Sequence, residues 1–213
     1  ELVGENIISM YKNNNEIYQY ALYKQKGSIA INGSGSLILK SRQENGRAIW
    51  SDGDINIKGG KIEGHAAGRV TVTNLLTGKM SMSGGTINSI QDTAIDNSGT
   101  LEISNTATII SYGKNTIINA LAGIINMSGG TIEQHNENGT AIRNNKDVII
   151  TGGKIILNGY CGIYSEAVSN LTVENLVITG NTSSEAVAVY NKSVNPVVLK
   201  DSTFDITSTG KAY

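Results

Sequence analysis

Apolar residues in this chain recur at i and i+2 in short bursts, and the bursts come in threes that repeat every 21 to 27 residues. Alternation of this kind predicts half-buried strands, three to a unit, here named A, B and C. The A strands centre on Leu22, Ile49, Val72, Ile95, Ile117, Ile142, Ile163 and Val189. Each B strand carries two inward residues, as in Ile55/Ile57, Met80/Met82, Ile125/Met127 and Val148/Ile150. The C strands centre on Leu37, Ile62, Ile87, Ile109, Ile132, Ile155, Ile178 and Phe204, which makes eight units.

Corner lengths separate two kinds of turn. From the first B anchor to the C anchor the spacing is 7 or 8 residues, whereas from C to the next A it runs from 8 to 12. The constant corner reads Gly-Gly in Met82-Ser-Gly-Gly-Thr-Ile87, Met127-Ser-Gly-Gly-Thr-Ile132 and Ile150-Thr-Gly-Gly-Lys-Ile155, as expected where the backbone needs positive φ. The variable corner is where loops grow and where repeat proteins place function. No stretch shows helical spacing between the strands. The expected fold is therefore all-β, a single-stranded right-handed parallel β-helix of about eight rungs and period about 23 residues. Right-handedness is expected because crossovers between parallel strands are almost always so. Residues 1–20 are expected to form an N-terminal partial rung or cap, drawing on Ile7, Ile8, Ile17, Tyr18 and Tyr20. Residues 21–213 carry the β-helix.

Charge and composition remove whole classes of partner. Lys and Arg number 17 against 18 Asp and Glu, for a net charge of -1 without a basic stripe, so nucleic acid is not an expected partner. No run of 18 apolar residues occurs, so direct membrane insertion is not expected. Cys161 is the only cysteine, which excludes an internal disulfide. The chain opens at Glu1 without a signal peptide and stops in Thr209-Gly-Lys-Ala-Tyr213, which reads like the entry to another repeat. We therefore expect a C-terminal end truncated from a longer protein.

The Ser-Gly-Gly-Thr-Ile and Gly-Thr-Ala-Ile phrases resemble the right-handed parallel β-helix (pectate-lyase-like) superfamily. More narrowly, they are similar to repeats of large bacterial cell-surface and adhesin-like proteins. The resemblance runs over about residues 20–207. It implies a scaffold shared by surface stalks, tailspikes and polysaccharide lyases or hydrolases, so chemistry must be argued from a site.

A catalytic site is hard to find. Gly64-His65-Ala66 is the nearest approach to the Gly-His-Gly of polygalacturonase-like hydrolases, and no Asp pair adjoins it. Glu63/His65 and Glu133/His135 repeat a carboxylate two residues before a histidine, but three rungs, about 14 Å, separate them. That is too far to share one metal or one glycosidic bond. No catalytic residue, metal or cofactor is expected. The column Ser51, Asn74, Asn97, Asn119, Asn144, Ser165 and Asn191, two residues after the A anchors, reads as a structural ladder of stacked side chains at one corner.

The outward position after each A anchor reads Tyr23, Trp50, Thr73, Asp96, Ile118, Arg143, Tyr164 and Tyr190. Their neighbours Ala48, Thr71, Ala94, Thr116, Ala141, Gly162 and Ala188 are small and are expected to share that outer face. Aromatic rings beside small residues suit sugar stacking, with Asp96 and Arg143 bonding hydroxyls. The candidate ligand-binding residues are thus Trp50, Asp96, Arg143, Tyr164 and Tyr190. The expected function is a non-catalytic extracellular module, an adhesive or stalk segment of a bacterial cell-surface protein, with a glycan or a host or cell-surface protein as partner. Polysaccharide lyase or glycoside hydrolase is the alternative, and a pure structural spacer the second. A monomer is expected, since only Ile110, Ile118, Ile149 and Ile156 suggest an apolar outer face.

Overall fold

The computed structural model describes residues 1–10, 19–41, 46–65, 70–182 and 185–210. Every regular element among them is a strand, and the strands pair in parallel with their counterparts one repeat away. The chain winds as a right-handed parallel β-helix of about seven turns with a period near 24 residues. Eight A strands, from Gln19–Lys24 to Val187–Asn191, form one sheet and bound those seven turns.

The B and C strands share a second, 13-stranded sheet. Three short strands per turn were expected, but in four turns B and C are one continuous strand: Asp54–Gly64, Lys79–Ser89, Ile124–Gln134 and Asp147–Leu157. The Gly-Gly corner explains it. Gly60, Gly85, Gly130 and Gly153 take φ of 77°, 76°, 84° and 110°, which bends the strand without ending its ladder. Register slips at these points, for example between Ile57 and Lys58. Corners without Gly-Gly put Asn105, Asn175 or Asp201 at positive φ instead, conformations that Asn and Asp tolerate best after Gly.

The core fills the space between the two sheets. Ile49, Val72, Ile95, Ile117, Ile142 and Ile163 of the A strands meet the paired B anchors and the C anchors, and from Ile49 to Ile163 all are 1 % exposed or less. One expectation about the A strands fails. Ala48, Thr71, Ala94, Thr116, Ala141, Gly162 and Ala188 are buried, so they do not share the outer face with the aromatics. Alternation breaks there because the chain is still turning into the strand, and two successive side chains end up inside the corner. Crowding then selects their size: a Cβ on Gly162 would lie 2.5 Å from the Ala188 carbonyl oxygen.

At the N-terminal end Glu5–Met10 pairs with Ser36–Ser41 as the C strand of a preceding turn, and Tyr20 belongs to the first A strand. Ile17 and Tyr18 lie outside the described residues. At the other end, the anchors Leu199 and Phe204 are 49 % and 39 % exposed, since no described strand lies beyond them.

Candidate functional site

The outward A column is in strict register from turn to turn: Tyr23 beside Trp50, then Thr73, Asp96, Ile118, Arg143, Tyr164 and Tyr190. Register alone does not make one site of them. Four turns separate Trp50 from Arg143, about 19 Å at the strand spacing.

The N-terminal aromatics are packed on one another. Tyr20 and Trp50 meet edge to face with centroids 4.4 Å apart, Tyr23 lies 6.2 Å from Trp50, and the Arg47 guanidinium sits 4.9 Å above the indole. Arg47 is buried and donates from Nε to Thr73 Oγ1 at 2.9 Å. Trp50 is half-buried and spends its ring on these contacts. Asp96, two turns on, is half-buried as well; burial raises its pKa against the opposing charge of Arg47. Neither Trp50 nor Asp96 lines the hollow described next.

Arg143, Tyr164 and Tyr190 fall together at the C-terminal end of the same face. Arg143 Nη2 donates to Glu166 Oε1 at 2.8 Å. Tyr164 stacks on Tyr190 with ring centroids 5.1 Å apart and planes 9° from parallel. Tyr190 thus covers one face of Tyr164 by ladder stacking along the rod. A hollow of about 290 Å³ opens beside Tyr164, lined by Asn115, Thr140 and Arg143 on the A strands, by Glu166 just past the next one, and by Lys114, Asn138 and Tyr160 from the C-to-A corners. Its size is at the lower end of small-ligand sites. Partial burial raises the pKa of Tyr160, which keeps its hydroxyl protonated and available as a donor. Six of the eight lining residues were not singled out in the sequence. The signal for three of them, Lys114, Asn138 and Tyr160, was indirect: they come from the variable corners.

The Asn column is internal. Asn74 Nδ2 donates to Asn97 Oδ1 at 2.7 Å, Asn97 to Asn119 at 2.9 Å and Asn119 to Asn144 at 3.0 Å, and all four are fully buried. Ser51 and Ser165 continue the column as buried residues, and Asn191 closes it as an exposed one that donates to the Ser193 and Asn195 carbonyls. Each central amide also donates to backbone carbonyls at the A-to-B corner, such as Gly99 and Ile124 for Asn97.

Both Glu–His pairs form, three turns apart, and each is held internally. Glu63 accepts from Lys61, His65 and Asn88. Burial would raise its pKa, but those hydrogen bonds and the Lys61 charge together win and take it from the ordinary 4.5 to about 2. Such a carboxylate is ionised throughout the neutral range and cannot serve as a general acid. Because the folded pKa is the lower one, Glu63 stabilises the fold fully above pH 4.5 and loses that contribution as pH falls towards 2. A Glu63→Gln variant should accordingly melt several degrees below wild type at pH 7, with the gap closing at pH 2. Thermal denaturation followed by circular dichroism at the two pH values reads this directly, and a gap independent of pH would contradict it.

The second pair has a defined tautomer. His135 Nε2–H donates to Glu133 Oε2 at 2.9 Å, Asn158 Nδ2 donates to His135 Nδ1 at 3.2 Å, and Tyr112 stacks on the ring at 4.8 Å. Both ring nitrogens are occupied. The Gly64-His65-Ala66 phrase extends outside the described residues at Ala66. Cys161 is fully buried, and desolvation pushes its thiol up to about 12, so it is not an activated nucleophile. Among the described residues no three His, Cys, Asp or Glu side chains gather as a metal-binding group, and no helix is long and apolar enough to cross a membrane. No protein-family model matches this chain, and neither does any curated protein or solved structure, so the parallel β-helix itself is what its functional reading starts from.

Proposed function

We propose that this β-helix is a non-catalytic glycan-binding module, the adhesive or stalk segment of an extracellular bacterial surface protein akin to the pectate-lyase-like and adhesin repeats its phrases resemble. The observation that carries the reading is the hollow at Tyr164. It sets an aromatic ring, a paired guanidinium and carboxylate, two amides and a threonine around one opening on a rigid sheet. That is the mixture a sugar requires, an apolar C–H face against an aromatic ring and hydroxyls against planar polar groups. The held states of Glu63 and Glu133 favour binding over the lyase or hydrolase alternative, because each carboxylate is already engaged by its own histidine and Glu63 by Lys61 and Asn88 as well.

A glycan array probed with wild type, Tyr164→Ala and Trp50→Ala tests the reading, with reducing-sugar and unsaturated-product assays on every hit. Binding should fall at least tenfold in Tyr164→Ala. Trp50→Ala should lower the melting temperature while leaving affinity within about twofold, since Trp50 is some 24 Å away along the rod. Product formation would reinstate the enzyme, and loss of binding only in Trp50→Ala would move the site to the other end of the face.

A further inference from the structure

Resting on that glycan-binding reading, the hollow also carries information about which saccharides it accepts. Its strongest polar feature is the Arg143–Glu166 pair, at 2.8 Å, in which Arg143 is exposed and Glu166 half-buried, with side-chain exposures of 49 % and 24 %. The pair is formed across adjacent turns, because Arg143 stands on the strand Thr140–Asn144 and Glu166 follows the next one, Cys161–Ser165. A guanidinium already neutralised in this way offers an incoming anion little net attraction, and the carboxylate in the same wall repels one. Lys114 is the remaining cation of the lining, and it is exposed at the rim, where water and salt screen it.

The other polar groups are Asn115, Asn138, Thr140 and the Tyr160 hydroxyl, all neutral. Amides and hydroxyls both donate and accept, as each sugar hydroxyl does. An ion pair seen edge-on presents N–H donors next to carboxylate acceptors, which suits two adjacent hydroxyls, each able to accept from Arg143 and donate to Glu166. Tyr164 closes the arrangement with a ring for the apolar face of the same sugar.

We infer that this hollow selects a neutral saccharide unit through a pair of vicinal hydroxyls held by Arg143 and Glu166 against the Tyr164 ring. A uronic acid or other anionic sugar is discriminated against by Glu166. At about 290 Å³ the hollow takes one such unit.

Isothermal titration calorimetry on the full chain tests this with cellopentaose, mannopentaose and xylopentaose as neutral probes and pentagalacturonate as the anionic one, each at 20 and 500 mM NaCl. A neutral oligosaccharide should bind with an affinity that changes less than twofold with salt. Methylating its vicinal hydroxyls should weaken binding about tenfold. Glu166→Gln should weaken the neutral ligand and strengthen pentagalacturonate, because it leaves Arg143 charged and unpaired; unchanged circular dichroism shows that the fold persists. Preference of wild type for pentagalacturonate, lost at 500 mM NaCl, would overturn the neutral-sugar inference and leave glycan binding standing. Failure of folded wild type to bind any probe here or any glycan on the array would overturn both.

Discussion

Replacing Asn97 with alanine should lower the melting temperature by about 10–20 °C. The side chain is fully buried, accepts from Asn74 at 2.7 Å and donates to the Gly99 carbonyl, Asn119 and the Ile124 carbonyl at 2.9 to 3.1 Å. Alanine would strand partners in three successive turns. Each unsatisfied buried group costs about 1–3 kcal/mol, so together they approach about 4–6 kcal/mol. In a chain of this size that corresponds to about 2–4 °C per kcal/mol. Asn191 supplies the contrast, since it is exposed and its donations go to two nearby carbonyls, so Asn191→Ala should cost about 1 kcal/mol. Differential scanning calorimetry of the two variants decides the matter: equal, small losses would mean that the column is not a structural ladder.

Gly113→Ala should be at least as damaging, through space rather than hydrogen bonds. A Cβ there would lie 2.3 Å from Asp92 Cα and 2.4 Å from Asp92 C, backbone that cannot swing away. Asp92 is itself fixed, because its carbonyl accepts from Ser111 Oγ at 2.7 Å and the same Oγ accepts from Gly113 N at 3.0 Å. The corner must therefore open, at more than the about 1–3 kcal/mol of ordinary overpacking. We expect a variant that fails to accumulate as folded protein or melts at least 10 °C early. Gly152→Ala is the control: its Cβ would meet only the Ser128 carbonyl region at 3.0 Å and 3.5 Å, so its melting point should stay within about 3 °C. If Gly113→Ala behaved like Gly152→Ala, the close stacking of the C-to-A corners would be wrong.

Such different expectations at two glycines, one after the strand Thr108–Ser111 and the other within Asp147–Leu157 two turns on, show where local pattern stops being informative. Gly113 sits in a variable C-to-A corner, and nothing local in Ser-Tyr-Gly-Lys says that another turn's backbone lies against the Cα. The same limit applies to the small residues before each A anchor. Alternation predicted Ala141 and Thr116 on the outside; the turn geometry puts them inside, where Thr116 Oγ1 donates to the Glu133 carbonyl at 3.0 Å.

The candidate site was half legible for related reasons. Arg143, Tyr164 and Tyr190 follow A anchors, and a fixed period stacks equivalent positions one strand spacing apart, so their neighbourhood could be read from numbering. Tyr160, Lys114 and Asn138 come from corners whose lengths vary, and a variable corner has no register to count. Glu166 lies just past its strand, and only the coordinates bring its carboxylate to Arg143 of the turn before. Trp50 shows the opposite case: its position is periodic and could be counted, but only the structure shows that Tyr20 and Arg47 fold over it.

By itself, the sequence determined the parallel β-helix, the identity of its inward anchors and the positions of its Asn column. It could do so because a solenoid's long-range contacts are copies of one another, and periodicity therefore encodes them. Only the tertiary structure decided that B and C merge through Gly-Gly, that the small residues turn inward, and that a hollow opens beside Tyr164 with the Arg143–Glu166 pair in its wall. Those outcomes depend on side chains and corners that do not repeat, and their contacts are settled by packing between turns rather than by any pattern within one.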